Sequence, residues 1–317
     1  MFPAPDGADG ARFHALRNAE IKGPLLARGT VHDVQSTLGT VESLIKRRIL
    51  PVVAWVDGER SMRCIGTAFI ISCSGYVATA CHVLLDPFDS GYGNGRISGT
   101  GIHYADNVNI GVLIATFDAG FRFFGFGACT FWGAWRDSPL FHEQPRLNMS
   151  TDIAICKIDE APNRVAHQPL NLSPRPYRVG DRAMAIGYTE MQDIPIRTDC
   201  NGNVTTEPFV NDLYVSIGNV VEVLQDNHLN LRAQTPGPCF HFDANIPGRM
   251  SGSPIIDLEL GVVRGVVSTG LSGAGLLGER HATGAMIGPA MHLPLTDGRS
   301  VQQMIEAGVE GMVAINA

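Results

Sequence analysis

Residues 248–256 read GRMSGSPII, which places a serine, Ser251, in a glycine-flanked turn that runs into an apolar strand. A nucleophilic hydroxyl must stand exposed beside backbone N–H groups that can stabilise an oxyanion, and small neighbours let a substrate carbonyl approach. The stretch therefore makes Ser251 a candidate nucleophile. Because Ser-Gly turns are common, this interpretation requires partner residues elsewhere in the chain.

Two upstream motifs supply candidate partners for the serine. Residues 75–83 read GYVATACHV and place His82 at the end of a strand, where an imidazole can be held at the edge of a cleft. Residues 150–158 read STDIAICKI and place Asp152 at the head of an apolar strand, screened from bulk water. Such a carboxylate can hold an imidazole in the tautomer that takes a proton from serine.

Short apolar runs between Leu50 and Ile287 are separated by Gly, Pro, Asn and Asp. The chain of 317 residues contains 36 glycines and 19 prolines, a composition that suits many strands joined by turns. About a dozen such runs, with no alternation of strands and helices, predict an antiparallel sandwich or a pair of barrels.

Helical spacing is confined to the two ends of the chain. Positions 31–49 carry Val34, Leu38, Val41, Leu44 and Ile45 on one helical face, which predicts a helix of about three turns at the end of an N-terminal extension. Positions 300–307 predict an amphipathic helix that caps the last barrel.

Composition excludes several classes of partner. The formal net charge is −7 and the longest run of Lys and Arg is residues 46–48, so we expect no nucleic-acid partner. The apolar runs reach about eight residues, against about 20 for a membrane-spanning helix, so we expect no membrane association. The N-terminal residues lack the features of a secretion signal, and the seven cysteines form no C-x-x-C pair. These features predict a cytoplasmic protein with reduced cysteines.

Taken in chain order, the motifs TACH at 79–82, DIA at 152–154 and SGSP at 251–254 resemble those of the trypsin/chymotrypsin-like serine peptidases. The likeness is to the bacterial type, near the high-temperature-requirement and glutamyl-endopeptidase branches. Two further stretches are similar to family motifs, GTAF at 66–69 and GDRAMAIGY at 180–188.

This resemblance, which covers about residues 50–296, implies an all-β, chymotrypsin-like fold of two antiparallel six-stranded β-barrels. The implied domains are 1–48, a partly helical N-terminal extension; 49–170, a first barrel carrying His82 and Asp152; and 171–317, a second barrel carrying Ser251 and a C-terminal helix.

The resemblance also implies a mechanism, that of a serine endopeptidase acting on polypeptides through an acyl-enzyme intermediate. Ser251 would attack the peptide carbonyl, His82 would accept its proton, and Asp152 would orient the imidazole. The backbone N–H groups of Arg249 and Ser251 would form the oxyanion hole. No metal or cofactor is required.

Substrate binding is assigned by the same resemblance. The strand containing Ser268, Thr269 and Gly270 would pair with an extended peptide by β-augmentation. The position that is acidic in trypsin-type enzymes falls near the uncharged Asn245, so we expect no strict preference for Lys or Arg.

One departure from the family pattern supports an alternative function. The family has glycine two positions before the serine, where this chain has Arg249, and glycine tolerates the backbone conformation needed there. A catalytically idle barrel that binds peptides or a partner protein is therefore the alternative, and a regulatory protein partner or gating by residues 1–48 stays open. A serine esterase of the α/β-hydrolase class is disfavoured, because its residues occur in the order Ser, Asp, His.

Overall fold

The computed structural model describes residues 31–33, 47–89, 96–98, 101–103, 106–115, 120–136, 146–159, 169–189, 191–207, 213–225, 235–270, 281–309 and 311–314. In the described residues the strands are β1 (Val31–Asp33), β2 (Ile49–Val56), β3 (Ser61–Ile70), β4 (Tyr76–Ala80), β5 (Arg96–Ser98), β6 (Gly101–His103), β7 (Val108–Ala115), β8 (Phe121–Arg136), β9 (Arg146–Ile158), β10 (Arg182–Tyr188), β11 (Ile194–Pro195), β12 (Arg197–Thr198), β13 (Val204–Thr206), β14 (Leu213–Leu224), β15 (Cys239–Phe242), β16 (Pro254–Asp257), β17 (Val263–Gly270) and β18 (Ala282–Met286). The helices are α1 (Cys81–Asp89), a 3-10 helix (Gly288–His292) and α2 (Val301–Glu306).

Two closed antiparallel barrels of six strands each make up the molecule, which confirms the predicted fold class. The first closes in the order β8-β7-β2-β3-β4-β9, with β9 pairing back to β8. The second closes as β14-β10-β16-β17-β18-β15, with β15 pairing back to β14. Within the described residues each sheet closes through its first and last strands, and β-branched and aromatic side chains fill the interiors.

Three short strands, β11 to β13, lie on the sheet of the first barrel although they follow β10 of the second. β11 pairs with β3 and β13 pairs with β8. The chain therefore crosses back to the first barrel before it completes the second.

The two helices predicted near the ends of the chain have different outcomes. Helix α2 is present as predicted, and Ser300 and Gln303 form a capping box at its start. The helix of about three turns predicted within 31–49 has its apolar positions at 34–45 and stays a prediction, while the described flanks are strands, because β1 occupies Val31–Asp33 and β2 begins at Ile49. Positions 34–46 lie outside the described residues. β1 pairs with Tyr214–Ser216 of β14, a stretch that β15 leaves uncovered, so backbone hydrogen bonds tie this part of the N-terminal extension to the second barrel.

Helix α1 was not predicted at all, and it follows β4 without a connecting residue. None of the described helices is long and apolar enough to cross a membrane.

The seven cysteines, all within the described residues, are present as thiols, and Cys64, Cys81, Cys156 and Cys239 are buried. Burial raises the pKa of Cys64 to about 12 and that of Cys239 to about 11. Burial likewise raises the pKa of Cys81 and Cys156 well above the ordinary value.

We therefore expect these four thiols to resist alkylation by iodoacetamide at pH 8.5, while the exposed Cys200 reacts. The thiolate is the reacting species, and a raised pKa keeps the folded-state thiol protonated until the pH approaches that value, so their rates should be at least about 100-fold lower. Peptide mass spectrometry before and after denaturation measures the difference. Rapid alkylation of the four buried thiols in the native protein would contradict the burial described above.

Candidate active site

His82 lies where β4 ends and α1 begins, and Asp152 holds it there. The backbone N–H of His82 donates to Asp152 Oδ1 at 3.0 Å, and its Nδ1 lies 2.7 Å from Asp152 Oδ2. The register of β4 with β9 pairs Ala80 with Ile153, which brings the two residues side by side. A carboxylate only accepts hydrogen bonds, so Nδ1 carries the proton and Nε2 of the neutral ring is left as a base.

The side chains of Asp152 and His82 differ in solvent exposure, and this limits the role that each can take. The side chain of Asp152 is 3% exposed and that of His82 is 36% exposed. The carboxylate is thus fixed inside the protein, while the imidazole reaches solvent and can exchange a proton with a bound molecule.

The second barrel also holds Asp152, through Ser268 of β17. The Ser268 hydroxyl donates to Asp152 Oδ2 and accepts a hydrogen bond from the Thr235 hydroxyl at 2.8 Å. Both residues are buried. Ser268, which the sequence predicts as a substrate-binding residue, is thus seen to fix the carboxylate from the opposite barrel.

Ser251 lies against the same strand. Its hydroxyl donates to the backbone carbonyl of Ser268 at 3.1 Å, and a serine hydroxyl has one proton to donate. While this bond is made, the hydroxyl has no proton left to donate to His82. One residue, Ser268, thus connects the candidate nucleophile with the buried carboxylate.

The turn that carries Ser251 is anchored on both barrels. Met250 is fully buried in the hydrophobic cluster of the second barrel, among residues that include Phe240 and Phe242. The carbonyl of Ser251 accepts a hydrogen bond from the Thr67 N–H of β3 at 2.8 Å. The serine is therefore fixed in the seam between the barrels.

Close approach to the first barrel requires glycine after the serine. Gly252 has a φ of +87°, and a Cβ there would lie 2.0 Å from the Thr67 carbonyl oxygen and 2.4 Å from Thr79 Oγ1. Any larger residue would push the turn away from β3.

Arg249 has the unusual backbone conformation of the site. Its φ of +71° is the only positive value at a non-glycine residue in the described part of the chain. Such a conformation costs about 1–3 kcal/mol for an L-residue. Within the described ranges, neither its backbone N–H nor that of Ser251 donates to an acceptor. Two main-chain donors are thus available beside the serine hydroxyl.

The side chain of Arg249 is bound by α1. Its Nη1 lies 3.2 Å from Asp86 Oδ1, and the other oxygen of Asp86 lies 2.7 Å from Arg63 Nη2 on β3. An isolated pair as exposed as this contributes about 1 kcal/mol or less, and a second cation on the same carboxylate helps to fix its geometry. The contact offsets part of the backbone strain at Arg249.

The remaining predicted residues lie around the turn and strand β17. Asn245 is exposed, and its carbonyl accepts a hydrogen bond from the Ser216 hydroxyl at 2.6 Å. Thr269 and Gly270 extend β17 and pair with Thr283 and Ala282 of β18.

Sequence reasoning missed two contributors to the site, Asp86 and Thr235. Asp86 follows His82 by four residues, a helical spacing that becomes informative only once α1 is recognised. Thr235 precedes a Pro-Gly turn and carries no signal in the sequence. Across the described residues, no group of three or more His, Cys, Asp or Glu side chains could hold a metal ion.

Comparison with known proteins adds a family match. Residues 66–266 match a family model described as a trypsin-like peptidase domain. No curated protein gives a significant match to the sequence.

Several solved structures are similar to this chain. One is an inactive serine-to-alanine mutant of Rv3671c from M. tuberculosis, at 18% identity over 84% of this chain and 91% of that one, with a TM-score of 0.41. The HtrA-type protease AlgW with a decapeptide matches at 17% identity over 76% of this chain and 61% of that one, with a TM-score of 0.42. Neuropsin, a serine protease expressed in the limbic system of mouse brain, matches at 14% identity over 77% of this chain and 91% of that one, with a TM-score of 0.46.

The docking of the serine turn can be tested with Gly252→Ala and a matched control. Gly202 also has a positive φ, +82°, but a Cβ there would have no neighbour within 4 Å. We expect Gly202→Ala to lower the free energy of unfolding by about 1 kcal/mol, from backbone strain alone, and Gly252→Ala by about 3 kcal/mol or more. Urea unfolding followed by tryptophan fluorescence measures both, and equal losses would show that the turn does not press on β3.

Proposed function

The chain belongs to the trypsin-like peptidase domain family, and from this premise we propose that it is a serine endopeptidase acting through an acyl-enzyme intermediate. The observation that carries the proposal is the hydrogen-bond chain His82–Asp152–Ser268–Ser251, which crosses from one barrel to the other. It brings together an imidazole, a carboxylate and a hydroxyl, the three groups that the proposed mechanism needs.

In the first step, the hydroxyl of Ser251 turns from the Ser268 carbonyl toward Nε2 of His82. Nε2 takes the proton while Oγ attacks the peptide carbonyl, and the carbonyl oxygen becomes an oxyanion. The imidazolium then gives this proton to the leaving amine, the C–N bond breaks, and the acyl group stays on Oγ. A water molecule, deprotonated by His82, attacks the ester, and its proton returns to Ser251 as the acid leaves.

Asp152 stabilises the imidazolium that forms in each half of this cycle. Its carboxylate accepts hydrogen bonds from the His82 backbone N–H, from the Nδ1–H of His82 and from the Ser268 hydroxyl, and these bonds keep it beside the imidazole. We propose that the backbone N–H groups of Arg249 and Ser251 donate hydrogen bonds to the oxyanion. Loss of one such donor in comparable sites costs about 3 kcal/mol of barrier.

We propose an extended polypeptide as the substrate, bound along the end of β17. β16 pairs with β17 only as far as Val266, so within the described residues the edge at Ser268–Gly270 on that side has no strand beside it. A peptide backbone can add there as a further strand. Because Asn245 is uncharged, we propose that cleavage does not strictly require Lys or Arg. We also propose a cytoplasmic location and a regulatory protein partner.

One observation favours the second candidate, an idle barrel that binds peptides. In the described structure the Ser251 hydroxyl is engaged by the Ser268 carbonyl, and Arg249 occupies the strained position beside it. A protein in which this hydroxyl never turns to His82 would keep the peptide-binding edge of β17 but would form no acyl-enzyme.

Covalent labelling with a fluorophosphonate probe separates the two candidates, because the probe needs an activated serine. We expect the wild-type protein to be labelled, Ser251→Ala to be unlabelled, and His82→Ala to react at least about 1,000-fold more slowly. His292→Ala, which changes an exposed histidine outside the site, should react like the wild type. Wild-type protein that is folded by circular dichroism and yet unlabelled would establish the idle barrel instead.

A further inference from the structure

We propose that Asp86 is a positioning residue, which holds Arg249 in its left-handed conformation and so keeps the oxyanion-binding N–H in place. The inference rests on the proposed function and names a further residue of the same site. Arg249 has a φ of +71°, a conformation that persists in a non-glycine residue only when surrounding contacts hold it.

Arg249 is held by contacts across the seam between the barrels, a hydrogen bond of 3.5 Å from Thr67 Oγ1 to its carbonyl and an ion pair of its side chain. Arg249 Nη1 contacts Asp86 Oδ1, and Asp86 Oδ2 contacts Arg63 Nη2 of the first barrel. The three side chains are 30%, 22% and 25% exposed. Partial burial weakens solvent screening, and Arg63 prevents the carboxylate from following Arg249 if the turn moves.

The place of Asp86 in α1 connects this contact with the base. His82 and Asp86 are four residues apart in the helix, so their side chains leave the same face one turn apart. The first turn of α1 is itself fixed by the hydrogen bond that the His82 N–H donates to Asp152. One rigid helical turn therefore carries both the proton acceptor and the group that positions the oxyanion donor.

Loss of the contact has a specific consequence for the backbone. If Arg249 relaxed to a negative φ, the N–H of its planar peptide would point elsewhere, since φ sets the direction of that group relative to the rest of the turn. The barrier to attack by Ser251 would rise, while the surface that binds the substrate along β17 would stay the same.

The test measures the maximal rate constant of fluorophosphonate labelling and the half-saturating probe concentration. For Asp86→Asn we expect the rate constant to fall about tenfold with little change in half-saturation, and Asp86→Glu to restore part of the rate. Glu207→Gln, which breaks the exposed ion pair with Arg197, is the matched control and should label like the wild type.

Substitutions at Arg249 test the same idea from the other side of the contact. Arg249→Met keeps the strained L-residue and removes the ion pair, so it should match the tenfold fall of Asp86→Asn. Arg249→Gly removes the strain as well as the ion pair, so it should label about tenfold faster than Arg249→Met. In the Arg249→Gly background, adding Asp86→Asn should change the rate less than about twofold.

The outcomes distinguish this inference from the proposed function. Failure of the folded wild-type protein to label overturns the proposed function and this inference with it. A labelled wild type together with an unchanged rate for Asp86→Asn overturns this inference alone. If Asp86→Asn lowers the rate tenfold both in the wild-type background and in the Arg249→Gly background, the inference is also overturned, because Asp86 would then act through α1 and not through Arg249. If Asp86→Asn does not fold, equal rates for Arg249→Met and Arg249→Gly overturn it as well.

Discussion

The buried carboxylate of Asp152 is the group on which the arrangement of the site depends. A charge removed from water is tolerated only when hydrogen-bond donors replace its hydration, and here the donors come from both barrels. His82 supplies a backbone and a ring N–H from the junction of β4 and α1, and Ser268 supplies a hydroxyl from β17. The hydrogen bonds that satisfy this one carboxylate therefore also fix the imidazole of His82 and the strand beside Ser251.

The approach of the two barrels is set by steric fit as much as by charge. The Ser251 turn touches β3 through the Thr67 N–H, and the absence of a side chain at Gly252 allows that contact. Behind the turn, Met250 is packed into the second barrel. The serine is thus held between a hydrophobic anchor on one side and a hydrogen-bonded strand on the other, which limits how far it can move when its hydroxyl turns.

The local sequence pattern predicted most of the fold, because closed barrels repeat the same apolar strands and turns. The strand predicted before His82 is present as β4, and His82 and Asp152, which the motifs selected, meet in the structure. Helix α1 was missed, because its sequence CHVLLDPFD follows a strand directly and contains a proline. β1 was not predicted, because its partner on β14 lies far along the chain and leaves no trace in local spacing. The charged contacts of the site were beyond sequence reasoning for a similar reason, since Asp86 and Arg249 are separated by 163 positions and only the folded chain shows that they meet.

The pairing of β1 with β14 has a consequence for shortened forms of the protein. Val31–Asp33 cover the main-chain groups of Tyr214–Ser216, a stretch of β14 that β15 does not protect. A chain cut after Asp33 would present those amides and carbonyls to solvent, and uncovered sheet margins attract strands from neighbouring molecules. Proteolytic trimming at that point would therefore turn a self-contained barrel into one prone to self-association.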